Sequence, residues 1–88
     1  MLQNILPNSM EKSDIKWAET IKKEARGINE LDLGEIQQVE IENIITQKGT
    51  IDKEQFCIPK KFVEKFDGNT LWFNLTMDDI NKHNLKQI

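Results

Sequence analysis

The sequence predicts a mainly β fold, a small antiparallel β-barrel of five or six short strands with a short C-terminal helix. Three observations support this prediction. Residues 33–49 read as a hairpin that glycines open and close. Asp67-Gly68 between apolar residues is a tight-turn signal. In residues 70–75, apolar side chains at positions 71, 73 and 75 alternate with Thr, Trp and Asn, as in a strand with one buried face.

The length of 88 residues predicts one domain, residues 15–88, behind a flexible N-terminal tail of residues 1–14. The tail mixes polar residues with a few apolar ones and has no sustained period. A domain of this size buries only about 60% of its unfolded surface. Cys57 is the sole cysteine, so no disulfide adds stability. We therefore expect self-association to be one source of stability.

The segment of residues 14–25 is ambiguous. Trp17, Ile21 and Ala25 have the spacing of a helix face, whereas residues 18–23 also fit a strand. We predict a short strand over residues 18–23, because a β-domain with few strands needs it.

The next segment, residues 27–34, reads as a loop with turn-forming residues. Leu31 and Leu33 are expected to attach this loop to the core. Gly34 stands at the start of the next strand. A glycine there predicts a bulge, a positive φ or the close approach of another backbone.

Three strands follow, at residues 35–40, 43–48 and 55–58. The third strand places Cys57 on the face opposite to its two apolar neighbours. Pro59 cannot donate a hydrogen bond to a neighbouring strand, so this strand ends there or lies at the edge of the sheet. One helical turn is expected at residues 60–64.

The last predicted strand, residues 70–75, has apolar residues at positions 71, 73 and 75 on one face. Trp72 and Asn74 therefore face outward. A short helix over about residues 77–84 is expected next, with Thr76 as its N-cap and two aspartates in its first turn.

Within that helix, Met77 and Ile80 are expected on the inner side. The residues after the helix are expected to fray.

The turns and core positions of residues 17–75 follow a definite order. Its parts are Gly34-Glu35-Ile36, a strand ending at Gly49, Phe56-Cys57-Ile58-Pro59, and Phe66-Asp67-Gly68-Asn69-Thr70-Leu71-Trp72-Phe73. This order resembles the PRC-barrel family, named for the cytoplasmic domain of the photosynthetic reaction centre H subunit, and in particular its short stand-alone archaeal members. The resemblance implies a PRC-type barrel and an interaction or scaffolding role. Members include the C-terminal domain of a ribosome maturation factor and archaeal cell-division adaptors, and the family has no shared catalytic residues.

The composition argues against several function classes. The net charge is −3, and no third of the chain forms the basic stripe that duplex binding uses, so nucleic acid is not an expected partner. No apolar run approaches the roughly 18 residues of a membrane span. The N-terminus lacks the basic region of a signal peptide, so a cytoplasmic protein is expected. One cysteine and one histidine cannot complete a four-ligand zinc site, and no metal or cofactor is expected.

The candidate partner surface consists of Trp72, Asn74 and Cys57. An outward tryptophan is enriched at binding hot spots, Asn74 shares its face, and Cys57 also points away from the core. The alternative is that the tail or the terminal helix of the chain covers Trp72.

Two further candidate sites are a basic patch and a reactive thiol. Lys60, Lys61 and Lys65 form a candidate basic patch for phosphate, with a solvated loop face as the alternative. Cys57 becomes a candidate redox thiol if a cation or His83 lowers its pKa. A packed strand residue is the alternative.

The sequence thus predicts a non-enzymatic protein–protein interaction or adaptor module, which could act as a homodimer, and assigns no catalytic residue. The alternative is an RNA- or ribosome-associated domain, by analogy with the maturation factor. A redox sensor based on Cys57 is the third hypothesis.

Overall fold

The computed structural model describes residues 10–11 and 14–87, and for residues 10–11 the backbone alone. The described part of the chain is mainly β, as predicted. Its strands are Met10–Glu11 (β1), Glu24–Arg26 (β2), Asp32–Val39 (β3), Asn43–Lys48 (β4), Glu54–Pro59 (β5), Val63–Phe66 (β6), Thr70–Phe73 (β7) and Lys86–Gln87 (β8). Its helices are the α-helix Met77–Lys82 (α1) and 3₁₀ turns at Trp17–Thr20, Ile28–Glu30 and Lys60–Phe62.

The strands form one sheet in the order β1-β6-β7-β2-β3-β4-β5-β8. Among the described residues no pairing joins β1 to β8, so this sheet is open and not the predicted closed barrel. The strand number also exceeds the predicted five or six, because the edge strands β1 and β8 have two residues each and show no periodicity. The prediction of an antiparallel sheet is wrong at one place, where β2 and β7 pair in parallel.

The three central strands form an antiparallel meander close to the predicted positions. Strand β4 has the predicted bounds, and β3 begins three residues earlier than predicted. Gly34 lies inside β3 at φ 91°, where a Cβ atom would collide with the backbone carbonyl of Gln47. Both a positive φ and a close backbone approach, as predicted, explain this glycine.

The hairpin of β6 and β7 turns at Asp67 and Gly68, as predicted. The Asp67 carboxylate accepts hydrogen bonds from the backbone N–H groups of Asn69, at 2.9 Å, and Thr70, at 2.8 Å. Such an Asx turn replaces backbone hydrogen bonds at the loop. Gly68 supplies a φ of 96°.

The predicted C-terminal helix is present but shorter, ending at Lys82. Thr76 and Asp79 form a capping box, in which each side chain accepts from the backbone N–H of the other residue. Ile80 is buried as predicted, whereas Met77 is 40% exposed, so its predicted inner position is wrong. The chain does not fray directly after the helix, because β8 pairs with β5.

The predicted strand at residues 18–23 is wrong. Trp17–Thr20 forms a 3₁₀ turn, in which the Thr20 hydroxyl donates to the Trp17 carbonyl at 2.7 Å. Lys22 then turns the chain at φ 70°. The strand of this region is the three-residue β2, which starts at Glu24.

The predicted tail is described only in part. Residues 1–9, 12 and 13 lie outside the described residues, and Met10–Glu11 pairs with β6.

The core lies on one face of the sheet. Its largest fully buried apolar side chains are Phe56, Phe66, Phe73, Leu33, Ile36, Ile44, Ile58, Leu71, Leu75 and Ile80.

Candidate functional site

Trp72 lies half-buried on the outer face of β7, as its strand position predicts. Its chain neighbours Leu71 and Phe73 are buried in the core, so the alternation of the strand turns the indole outward. In the sheet, Trp72 pairs with Lys65 on β6 and with Arg26 on β2. The indole therefore lies between two basic residues on the same face.

The orientation of the indole is fixed by Asp67. The Trp72 indole N–H donates to Asp67 Oδ2 at 2.9 Å. Burial by itself raises the pKa of Asp67. The hydrogen bonds from Trp72 and from the backbone of Asn69 and Thr70 oppose this and hold the pKa of that carboxyl below its usual range. Asp67 therefore both forms the turn and restrains the indole ring of Trp72.

Trp72 lies in a groove of about 410 Å³. The residues that define this Trp72 groove are Ile28, Glu30, Glu64, Lys65, Trp72 and Phe73. Ile28 is 40% exposed and faces the groove from the loop between β2 and β3. The groove thus offers two accessible apolar side chains, Ile28 and Trp72, within a polar rim.

The loop on one side of the groove has an unusual backbone. Asn29 and Glu30 are consecutive residues with φ values of 58° and 60°. The left-handed region costs a residue with a Cβ atom roughly 1–2 kcal/mol. Arg26 Nη1 donates to the Glu30 carbonyl at 3.0 Å, and the Ile28 N–H donates to the Leu75 carbonyl at 2.8 Å. These bonds hold the strained loop at the side of the groove.

Charges of both signs surround the groove. Arg26 forms an ion pair with Glu24 at 2.9 Å, which compensates the charge of its guanidinium. Glu30 and Glu64 are exposed at the rim, which also contains one lysine, Lys65. The rim is therefore mixed and slightly acidic.

The structure does not bring the whole predicted partner surface together. Cys57 lies on β5, and strands β2, β3 and β4 separate it from Trp72 on β7. Four inter-strand spacings amount to roughly 19 Å along the sheet. Asn74 is exposed just after β7, where its backbone N–H donates to the Phe62 carbonyl at 2.7 Å. Trp72 and Asn74 are thus close in the chain, and Cys57 belongs to another part of the outer face.

Cys57 is half-buried, and burial raises the pKa of its thiol. The negative charge of Glu40 raises that pKa further. A redox or nucleophilic thiol needs the opposite shift.

The three predicted lysines have different surroundings. Lys60 Nζ lies 4.4 Å from the centroid of the Trp17 ring, a cation–π geometry. Lys61 Nζ lies 5.4 Å from the centroid of the Phe62 ring. Lys65 is on β6 beside Trp72. Two of the three lysines therefore lie over aromatic rings of the 3₁₀ turns, and the third belongs to the Trp72 groove.

Sequence reasoning missed two contributors to the groove. Ile28 was part of a loop whose other apolar residues were assigned to the core. The sequence does contain one indication that Ile28 is exposed, because it lies between two turn-forming residues, Gly27 and Asn29. Asp67 was read only as a turn residue, since its bond to Trp72 depends on the hairpin register.

Among the residues that the structure describes, no group of three or more His, Cys, Asp or Glu side chains could hold a metal ion. None of the described helices has both the length and the apolar character needed to cross a membrane.

No protein-family model, no curated protein and no solved structure matches this chain.

Proposed function

We propose that this chain is a non-enzymatic protein–protein interaction module, and that the Trp72 groove binds a segment of a partner protein through an apolar side chain. The observation that carries the proposal is the restrained, half-buried indole of Trp72, which lines the same groove as the exposed Ile28. Tryptophans at the centre of an interface, fixed before binding, contribute much of the affinity because little side-chain freedom is lost.

The dimensions and chemistry of the groove support a side chain as occupant. A volume of about 410 Å³ accepts one or two side chains. The acceptors and donors lie at the rim, whereas Ile28 and Trp72 provide apolar surface. Apolar contact at the centre with polar groups around it is the usual arrangement of an interface.

The experiment is capture of partners from a native lysate by the purified chain and by three variants, of which Ile28→Ser and Met77→Ser are a matched pair. Ile28 and Met77 are each 40% exposed, but only Ile28 lines the groove. We expect Ile28→Ser and Trp72→Ala to lose the bound protein, and Met77→Ser to retain it. Equal retention by all three variants would contradict the proposal.

We also propose that the chain forms a homodimer, because the core of such a small domain is marginal and self-association would stabilise it. Sedimentation at high micromolar concentration tests this part. A strict monomer whose Ile28→Ser variant still loses a captured protein identifies the module as an adaptor.

We also propose that the chain belongs to the PRC-barrel family, as one of its stand-alone archaeal members, with an open sheet in place of a closed barrel. The central meander and the hairpin of β6 and β7 support this assignment, because they come in the order of the sequence motifs that carry the resemblance. A cytoplasmic location stays a prediction.

The RNA- or ribosome-associated alternative gains little from the structure. It rests on Lys60, Lys61 and Lys65, and no observation favours phosphate as their partner over the rings that two of them contact. Retention on RNA that falls steeply with salt would support it. The Cys57 redox hypothesis is disfavoured by the raised pKa of the thiol.

A further inference from the structure

The turn between β3 and β4 carries an apolar residue that neither the core nor the Trp72 groove uses. Ile41 lies in this turn and is 90% exposed. The Glu40 N–H donates to the Asn43 carbonyl at 2.8 Å, which closes the turn through the backbone. Polar residues and glycine are favoured at such turns. Local structure therefore does not account for an isoleucine at this position.

Ile45 and Cys57 lie on the outer face of the two strands that follow this turn. Ile45 on β4 pairs with Cys57 on β5 and with Gln38 on β3. The residues before and after Ile45 are buried, so Ile45 and Cys57 face outward, and both are half-buried. The Gln38 side chain donates to Glu40 Oε2 at 3.2 Å, which connects this row to the turn.

We name Glu40, Ile41, Glu42, Ile45 and Cys57 the hairpin-tip patch. Its charge is negative. Glu40 and Glu42 are exposed on either side of Ile41, and neither forms an ion pair with another described residue. The Lys60 N–H donates to the Glu42 carbonyl at 2.8 Å, but the ammonium of that lysine lies over the Trp17 ring. The patch thus has an acidic rim with which no cation of the described residues forms an ion pair.

We propose that the hairpin-tip patch binds a partner segment that carries an apolar side chain next to a lysine or arginine. The apolar side chain covers Ile41 and Ile45, and the cation lies between the two glutamates. A second copy of the chain is the wrong occupant, because a symmetric pair would bring the acidic rims together.

This site is independent of the proposed function of the Trp72 groove. Three strands separate the β5 part of the patch from Trp72. One chain can therefore hold two partners at once, which is what an adaptor requires.

The test uses Cys57 as a reporter, because it is the sole cysteine and lies within the patch. The rate of its alkylation by N-ethylmaleimide at mildly alkaline pH is measured with an alternating Leu-Lys peptide and with an alternating Leu-Glu peptide. We expect saturable protection by the Leu-Lys peptide, weaker at high salt, and none by the Leu-Glu peptide. Equal protection by the two peptides overturns the proposal.

Two equally exposed isoleucines provide the matched variants. Ile51 is 91% exposed, in the loop between β4 and β5 at the other end of β4. We expect Ile41→Ser to weaken the protection of Cys57 about tenfold or more, since burial of one isoleucine contributes at least that factor. Ile51→Ser leaves the protection unchanged. The double variant Glu40→Gln with Glu42→Gln abolishes the preference for the cationic peptide.

Three further results contradict the proposal. They are equal losses with Ile41→Ser and Ile51→Ser, a charge preference that survives in the double variant, and protection that rises with protein concentration without peptide. The last result would identify a second copy as the occupant. Circular dichroism checks that each variant is folded, and the double variant tests the site independently if Ile41→Ser is not.

Discussion

The environment of Thr46 leads us to predict that Thr46→Val, a substitution in the core, stabilises the protein. Thr46 lies at the centre of β4, between Ile36 on β3 and Phe56 on β5, and is completely buried. Its hydroxyl oxygen has no hydrogen-bond partner among the described residues. A buried polar group without a partner costs about 1–3 kcal/mol relative to its solvated state. Valine has nearly the same shape and no hydroxyl, so Thr46→Val removes this cost without leaving a cavity.

We expect Thr46→Val to raise the free energy of unfolding by about 1–2 kcal/mol. In a domain of this size that corresponds to an increase of about 5 °C or more in the thermal midpoint. Urea unfolding followed by far-ultraviolet circular dichroism measures the change, and an unchanged m-value confirms that the unfolded state is the same.

Thr20 is the matched control. It is also completely buried, but its hydroxyl donates to the Trp17 carbonyl at 2.7 Å. Thr20→Val therefore loses a bond and leaves a carbonyl without that donor, and we expect a loss of about 1–2 kcal/mol. The same substitution should have opposite signs at the two sites. Destabilisation of Thr46→Val comparable to that of Thr20→Val would refute the assignment of an unpaired hydroxyl.

Three further predictions concern the turns and the groove. Gly34→Ala should destabilise the protein by more than about 3 kcal/mol, because the new Cβ atom collides with the backbone of β4. Gly68→Ala has open space around its Cβ atom and should cost only the strain of a positive φ, about 1–2 kcal/mol. Chemical denaturation of both variants separates the two effects. Thr76→Ala removes the N-cap of α1 and should cost about 1 kcal/mol by the same measurement. The pKa of Asp67 is lowered in the folded state, so its contribution to stability is complete above the ordinary aspartate pKa and is lost as the pH falls through the folded value. With the other tryptophan replaced by phenylalanine, the fluorescence of Trp72 should therefore change with a midpoint below about pH 3.9, and a midpoint above it would contradict the hydrogen bond between the two side chains.

The parts of the fold that could be predicted from the sequence are those set by near neighbours in the chain. Strand β4 and the Asp67 turn follow from alternation and turn chemistry within a few residues. The cap at Thr76 follows in the same way. By contrast, β2 has only three residues and pairs in parallel with β7, which lies more than half the chain away. No local pattern indicates such a pairing, so the helical and strand interpretations of residues 14–25 could not be separated.

The same distinction explains why the candidate surface was only partly predicted. Alternation correctly turned Trp72 and Cys57 away from the core, because the side of a strand is a local property. Whether two outward residues meet depends instead on strand order. With β2 paired in parallel beside β7, the three strands β2, β3 and β4 lie between Trp72 and β5. One predicted surface thereby becomes two. The groove at Trp72 is mixed in charge and restrained by Asp67, whereas the hairpin-tip patch is acidic and apolar. Surfaces that differ this much in chemistry select different partners, so variants of Ile28 and of Ile41 should lose different bound molecules.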